Sequence, residues 1–296
     1  MTKGIIIGLI GGFYYVETAD AVYECKARGN FRKKGIKPLV GDKVEISVNK
    51  SGYCSIDEVC ERKNSLIRPP LANIDTLIIV ASTCDPKPNT FIIDKMTAAA
   101  VVKGIEPVIV FSKSDLSSPK DLINIYEKAG IRAIEFSSVD GRGSDDILEL
   151  LPNKVTALTG NSGVGKSTLI NTLFPQMQID TGDISKKLGR GRHTTRTVDL
   201  YKLDSGYIAD TPGFSTVDIE RYEIIEKEKL PNAFPEFEEY IGLCRFNSCS
   251  HTCEKGCAVI EAVEQGKISV SRFESYKMMY DEVKDLKKWQ QKNAVS

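Results

Sequence analysis

The 296-residue chain has no excess of either charge, with 40 Lys and Arg set against 40 Asp and Glu. Overall charge therefore says nothing about a nucleic-acid partner, and any such partner must be read from local charge. No apolar run approaches the roughly 20 residues that a membrane-spanning helix needs, so no membrane span is expected. The run Ile5–Ile10 is too short for a secretion signal, and Tyr14, Tyr15 and Glu17 stand where a cleavage site would lie. Histidine is scarce, with His193 and His251 the only two. Cysteine is not. Eight cysteines without a secretion signal fit a reducing compartment, where clustered cysteines favour metal over disulfides, and a soluble cytoplasmic protein is expected.

What is present is a phosphate-binding signature. Gly160, Asn161, Ser162, Gly163, Val164, Gly165, Lys166, Ser167 and Thr168 follow the apolar run Val155–Thr159 and precede the apolar-spaced segment Leu169–Phe174. Strand, glycine-rich loop and helix in that order make a P-loop. Backbone N–H groups and the positive helix end would cradle phosphate. Lys166 would reach the β- and γ-phosphates, and Ser167 would hold Mg²⁺.

Before it, residues 1 to about 62 read as five short strands, Ile5–Ile10, Gly12–Glu17, Ala21–Cys25, Asp42–Val48 and Tyr53–Val59, punctuated by glycines. That spacing favours a small closed barrel of the OB type. One loop, from Lys26 to Lys37, gathers six basic residues around Phe31 and holds no acid. Lys26, Arg28, Arg32, Lys33 and Lys34 would neutralise phosphates while Phe31 stacks on an RNA base; a merely solvated basic loop is the competing reading. Glu61–Pro70, with two prolines and interrupting charge, reads as a linker.

From Ile74 the pattern alternates. Strands are expected at Asp75–Ala81, Glu106–Phe111, Arg132–Ser137, Val155–Thr159, Val198–Leu203 and Ser205–Asp210, and helices at Phe91–Lys103, Leu122–Ala129 and Ser144–Leu150. Repeated βα units imply a mostly parallel sheet. Ser112, Lys113 and Asp115 follow one strand end; Asp115 would accept from guanine N1–H and N2–H, a pair that adenine cannot present. Ser137 and Ser138, at the next strand end, would offer a backbone N–H to the guanine carbonyl. Asp210 and Gly213 would meet Mg²⁺ and the γ-phosphate, and the segment Leu188–Arg196 reads as a loop ordered by both. Thr194 or Thr195 would supply its metal-contacting hydroxyl, with Thr195 favoured. The base-reading residues precede the P-loop, the reverse of the ordinary GTPase order, so the domain reads as circularly permuted.

Cys244, Cys249, His251 and Cys257 form a Cys-x4-Cys-x-His-x5-Cys set suited to one closed, structural zinc site, with Cys253 a fifth candidate in the same loop. Cys25, Cys54, Cys60 and Cys84 read as small core residues or free thiols. The tail from Val270 to Asn293 has the spacing of one long amphipathic helix, with Phe273, Tyr276, Met279, Tyr280, Val283 and Leu286 placed for packing.

Together these motifs closely resemble the RsgA/YloQ family of bacterial circularly permuted GTPases. The resemblance covers essentially the whole chain. It implies a multi-domain α/β protein: an N-terminal OB-fold β-barrel for RNA over 1–62, a circularly permuted P-loop GTPase domain over 63–220, and a C-terminal, mainly helical zinc-binding domain over 221–296. It further implies GTP hydrolysis, with Mg²⁺, GTP and GDP, stimulated by the small ribosomal subunit during its late maturation. The partners implied are that subunit and its rRNA, contacted by the barrel and zinc domains, and the expectation is of a cytoplasmic monomer. The family usually has Asn where Ser112 stands, and that Asn bonds guanine N7 and steadies the P-loop. Nucleotide affinity is accordingly expected to be weaker and guanine preference to survive through Asp115. Phe214 follows Asp-Thr-Pro-Gly where many small GTPases carry the glutamine that orients water. Slow intrinsic turnover is therefore expected, with His193 the catalytic candidate. The alternative is a GTP-gated rRNA-binding assembly factor in which hydrolysis is incidental.

Overall fold

The computed structural model describes residues 1–29, 31, 35–48, 54–67, 70–177, 198–210 and 224–286. The strands are β1 (Thr2–Ile10), β2 (Phe13–Thr18), β3 (Val22–Ala27), β4 (Lys43–Val48), β5 (Cys54–Val59), β6 (Ser65–Leu66), β7 (Leu71–Ala72), β8 (Thr76–Ser82), β9 (Glu106–Ser112), β10 (Arg132–Glu135), β11 (Lys154–Thr159), β12 (Asp199–Leu203) and β13 (Gly206–Asp210). The helices are α1 (Thr90–Val102), α2 (Lys120–Lys128), α3 (Ser144–Leu148), α4 (Lys166–Leu173), α5 (Ala258–Glu264) and α6 (Val270–Val283). Two compact units contain them, Met1–Thr76 with Leu148–Thr159 and Gln178–Gly213, and Leu77–Ile147 with Gly160–Met177 and Phe214–Ser296.

In the first unit, five strands close a barrel in the order β1-β2-β3-β5-β4, with β4 returning to β1. Only β3 and β5 run parallel; the other barrel pairs are antiparallel. Alternation puts Val44, Ile46, Ile56, Ile6 and Val16 inside, each 1% exposed or less, which is the period-two burial of a small barrel. This is the OB-like barrel expected from the sequence.

The expected linker turns out to be built into this unit. β6 pairs with β7 in a small hairpin. Arg62 donates to both carboxylate oxygens of the fully buried Asp42, at 2.7 and 2.8 Å. Gly41, at φ 87°, brings its Cα so close that a Cβ would lie 2.2 Å from the Ala72 carbonyl oxygen. Charge and proline suggested a linker; in the described part Arg62 and Lys63 are paired, with Asp42 and Asp75, and the glycine lets the hairpin close against the barrel loop. The unit also holds β11, β13 and β12 in that order, with β11–β13 parallel and β12–β13 antiparallel. The barrel is joined to these strands by Glu17, which accepts from Lys202 Nζ and Tyr207 Oη at 2.8 Å each.

In the second unit the order is β10-β9-β8, with β9 and β10 parallel. All seven residues of β8 are buried, as a strand covered on both faces requires. The C-terminal segment is mainly helical. Its core, Phe234, Phe237, Tyr276, Val259 and Ile268 among others, extends to Ala98 of α1. Helix α6 carries Phe273, Tyr276, Met279 and Val283 inward, and its described turns end before the expected Asn293. One contact had no counterpart in the sequence reading. Arg272, fully buried, donates to Glu236 at 2.7 and 3.0 Å and to Asp94 and Thr97 of α1 at 2.8 and 3.1 Å.

Candidate nucleotide site and metal centre

The P-loop leaves β11 through Gly160, at φ 145°, where a Cβ would stand 2.2 Å from the Val80 carbonyl oxygen at the end of β8. Only glycine fits there. Gly165, the left-handed N-cap of α4, has φ 94°. Val164 between them is 3% exposed and anchors the loop, while Ser162 and Gly163 are exposed. Lys166 curls over the loop, donating from Nζ to the Gly160 and Asn161 carbonyls at 2.7 and 2.8 Å. Ser167 and Thr168 open α4, with Ser167 half-buried and Thr168 exposed.

The expected base-reading residues are brought to this loop. Ser112, at the end of β9, is 2% exposed. Its hydroxyl donates to the Val164 carbonyl at 2.5 Å, with the Ala81 carbonyl at 3.3 Å. Lys113, in the left-handed region at φ 59°, donates from Nζ to the Gly163 carbonyl at 3.0 Å and to the Asp85 carbonyl. Thr83 Oγ1 holds the Lys113 carbonyl at 2.7 Å. The serine thus keeps the tether to the P-loop that its length put in doubt. Asp115 is exposed, free to meet a base edge. The next strand end is tied to this one, because the Ser114 N–H donates to the Phe136 carbonyl at 3.1 Å. Ser137 is fully buried and serves as a pivot: its N–H goes to the Arg142 carbonyl and its hydroxyl accepts from the Val139 N–H. Ser138, between them, is exposed. Hydrogen bonding from the Arg142 backbone, then from Ser137, holds the Asp140 carboxyl below its usual range.

His193, Thr194, Thr195 and Gly213 lie outside the described residues, as does the Asp210 side chain; the Asp210 backbone ends β13.

In the barrel unit, the basic loop departs from expectation at its aromatic. Phe31 is 7% exposed, so it anchors the loop instead of presenting a stacking face; an aromatic among cations gains more from burial than from exposure. Arg28 Nε pairs with Asp57 at 2.9 Å, and Lys26 Nζ sits 4.7 Å from the Phe13 ring centroid. Both remain exposed at the surface. Arg32, Lys33 and Lys34 lie outside the described residues.

Cys244, Cys249, His251 and Cys257 bring their ligand atoms within 4.8 Å of one another. His251 Nδ1 is 3.4 Å from Cys244 Sγ and 3.4 Å from Cys257 Sγ, and those two sulfurs are 3.8 Å apart. A tetrahedral zinc with Zn–S of about 2.3 Å and Zn–N of about 2.0–2.1 Å implies S···S edges of about 3.8 Å and S···N edges of about 3.5 Å. The set fits. Burial lowers the His251 pKa, keeping the imidazole a neutral donor, and burial above all pushes the Cys249 thiol up to about 12. A thiol held like that of Cys249 keeps its proton until a cation displaces it. Cys253 is exposed and outside the set.

Sequence reasoning missed what shapes this ligand loop. Glu254 accepts from Ser250 N–H and Oγ–H at 2.7 and 2.5 Å and from the N–H groups of Thr252 and Cys253 at 3.1 and 3.2 Å. Burial pushes its carboxyl up, but these bonds outweigh it and bring the pKa to about 2. Tyr276 of α6 donates to the Ser250 carbonyl at 2.6 Å. A glutamate among ligand cysteines carries no spacing signal, so neither contact was legible.

A glycine loop between a buried strand and a helix, tethered to a strand end that precedes it in the chain and where base-reading residues were expected, is the arrangement of a circularly permuted P-loop nucleotide-binding protein. The family model described as RsgA GTPase matches residues 59–220, and that described as RsgA N-terminal domain matches residues 3–56. The chain belongs to the RsgA GTPase family. It is 46% identical to the small ribosomal subunit biogenesis GTPase RsgA of Caldanaerobacter subterraneus subsp. tengcongensis, over 98% of this chain and 99% of that protein. It is 43% identical to the protein of the same name from Streptococcus pneumoniae, over 96% of this chain and 95% of that one. Among solved structures, YjeQ from Thermotoga maritima matches with a TM-score of 0.80 and 35% identity over 97% of this chain and 99% of that one. YloQ, described as a circularly permuted GTPase, matches at 0.78 and 34% over 97% and 96%.

Proposed function

We propose that the protein is a GTP hydrolase that binds the small ribosomal subunit and is stimulated by it, assisting late maturation of that subunit in the cytoplasm as a monomer. The observation that carries the nucleotide part is the pair of tethers from Ser112 and Lys113 to the P-loop carbonyls of Val164 and Gly163, which join base reading to phosphate binding. The ribosomal part is supported by the names of relatives aligned over nearly the whole chain. We assign an RNA-binding barrel to 1–62, the permuted GTPase domain to 63–220 and a zinc-binding domain to 221–296.

In this reading Asp115 takes the guanine N1–H and N2–H, the Ser138 N–H meets the guanine carbonyl, and loop N–H groups from Asn161 to Ser167 surround the phosphates. Lys166 neutralises charge on the β- and γ-phosphates. Ser167, Thr195 and Asp210 are the residues that would hold Mg²⁺, which supplies charge neutralisation at the phosphates when bound. Phe214 has no group that orients water, so His193 takes that role once the subunit orders its segment, and turnover without the subunit is slow. Cys244, Cys249, His251 and Cys257 would hold one zinc in a structural role. Lys26 and Arg28, with Arg32, Lys33 and Lys34, supply phosphate contacts to rRNA.

The test is GTP turnover by purified protein alone, with small subunits and with large subunits. Stimulation by small subunits alone supports the proposal, and His193→Ala should then abolish most of the stimulation. GTP-dependent subunit binding without stimulation would favour a gated binder in which hydrolysis is incidental, a reading that Phe214 keeps open. Neither binding nor stimulation would overturn both.

A further inference from the structure

Ser112 can donate one hydrogen bond, and the structure shows where it goes. The hydroxyl lies 2.5 Å from the Val164 carbonyl oxygen, with the Ala81 carbonyl as its second acceptor at 3.3 Å, and the residue is 2% exposed. A purine N7 is an acceptor and is read only by a donor. The two nearest hydroxyls, Thr83 on the neighbouring strand end and Ser114 in the same loop, are not open to a base. Thr83 Oγ1 donates to the Lys113 carbonyl at 2.7 Å. Ser114 Oγ has no hydrogen-bond partner but is sealed from solvent, so its hydrogen does not face a bound base. Lys113 Nζ is turned to the Gly163 and Asp85 carbonyls, with Gly163 at 3.0 Å. Asp115, the exposed residue of the set, is an acceptor when ionised.

We infer that this protein recognises guanine through its Watson–Crick edge and carbonyl alone, leaving N7 unread, and that Ser112 determines this. The inference rests on the assignment of Ser112–Asp115 as the base loop. Ser112 is a positioning residue: it holds the P-loop at Val164 and has no hydrogen left for the base. An asparagine at the same position would carry two amide N–H groups, one for the Val164 carbonyl and one for N7. Discrimination at N7 is thus absent here and can be restored by one substitution.

The experiment compares dissociation constants of the full chain for GDP, 7-deaza-GDP and ADP with Mg²⁺ present, by calorimetry. Replacing N7 with a C–H leaves the Watson–Crick edge intact. Wild-type constants for GDP and 7-deaza-GDP should agree within about twofold, since no hydrogen bond is lost. In Ser112→Asn the 7-deaza nucleotide should bind about three- to tenfold more weakly than GDP, the worth of one hydrogen bond. Ser112→Ala should weaken both nucleotides while keeping their ratio near one. A wild-type gap larger than about twofold would overturn the inference, whether or not either variant folds. Failure to prefer GDP over ADP would instead overturn the base-loop assignment, and the inference with it; that failure appears in a different ratio.

Discussion

The phosphate loop and the cysteine cluster are both candidate ion sites, yet they are made from different parts of the chain. The loop works through its backbone. Its shape depends on Gly160 and Gly165 adopting positive φ, on carbonyls held from outside by Ser112 and Lys113 and on Lys166 curling back onto the Gly160 carbonyl. The cluster works through side chains, four ligand atoms within 4.8 Å on a loop braced by Glu254 and Tyr276. A backbone site tolerates change at its exposed positions and fails where a Cβ enters. A side-chain site fails at each ligand and also at residues that never touch the ion.

The largest expected effect separates the two outright. Cys257→Ser, or removal of zinc by a chelator, should release the metal and unfold the C-terminal segment, because structural zinc contributes on the order of 10 kcal/mol of apparent binding energy. Metal content and the loss of a cooperative transition in urea would report it. Retention of both would remove zinc from the account of the fold.

Next comes Arg272. Its replacement by Leu strands the Asp94 and Glu236 carboxylates, 0% and 3% exposed, and should cost about 3–5 kcal/mol. Metal content should stay unchanged, since no ligand is lost. A destabilisation below about 1 kcal/mol would show the triad to be replaceable by apolar packing.

On the nucleotide side, Lys166→Ala should lower subunit-stimulated turnover by about 10²-fold or more with the urea midpoint unmoved. Equal losses in turnover and in stability would mean that Lys166 holds the loop as much as it serves the phosphates.

The smallest effect is one of pH. Glu254 has its carboxyl held at about 2, below the ordinary 4.5. A depressed folded pKa contributes stability above the unfolded value and loses it as pH falls through the folded one. The difference in urea midpoint between the wild type and Glu254→Gln should therefore be flat from about pH 8 to pH 5.5 and shrink only in stronger acid. A difference that changed near neutrality would place a second titrating group on that carboxylate.

Much of this was legible before any coordinates. The strands of the barrel, the P-loop and the Cys-x4-Cys-x-His-x5-Cys spacing each announce themselves through local rules: alternation, positive-φ glycines and ligand geometry. Other parts were not. Glu61–Pro70 has a linker's composition, but Arg62 is paired with Asp42, twenty positions away. Phe31 looked like a stacking platform among lysines and is instead 7% exposed. Arg272 lies in a helix read only for its apolar packing face, and its partners are 36 and 178 positions distant in the chain.

The amino-acid sequence alone laid out the side chains available to this protein: a glycine loop suited to phosphates, an aspartate placed for a base edge, and three thiols with an imidazole at metal-ligand spacing. These follow from residue type and short spacing. Tertiary structure alone decided which polar groups are already bonded within the protein and which remain for a ligand. Ser112 turns its one hydrogen to Val164, fifty-two positions away, and Arg28 is paired with Asp57. A hydrogen bond or ion pair between distant segments depends on how the backbone brings them together, and no local pattern in the chain encodes that distance.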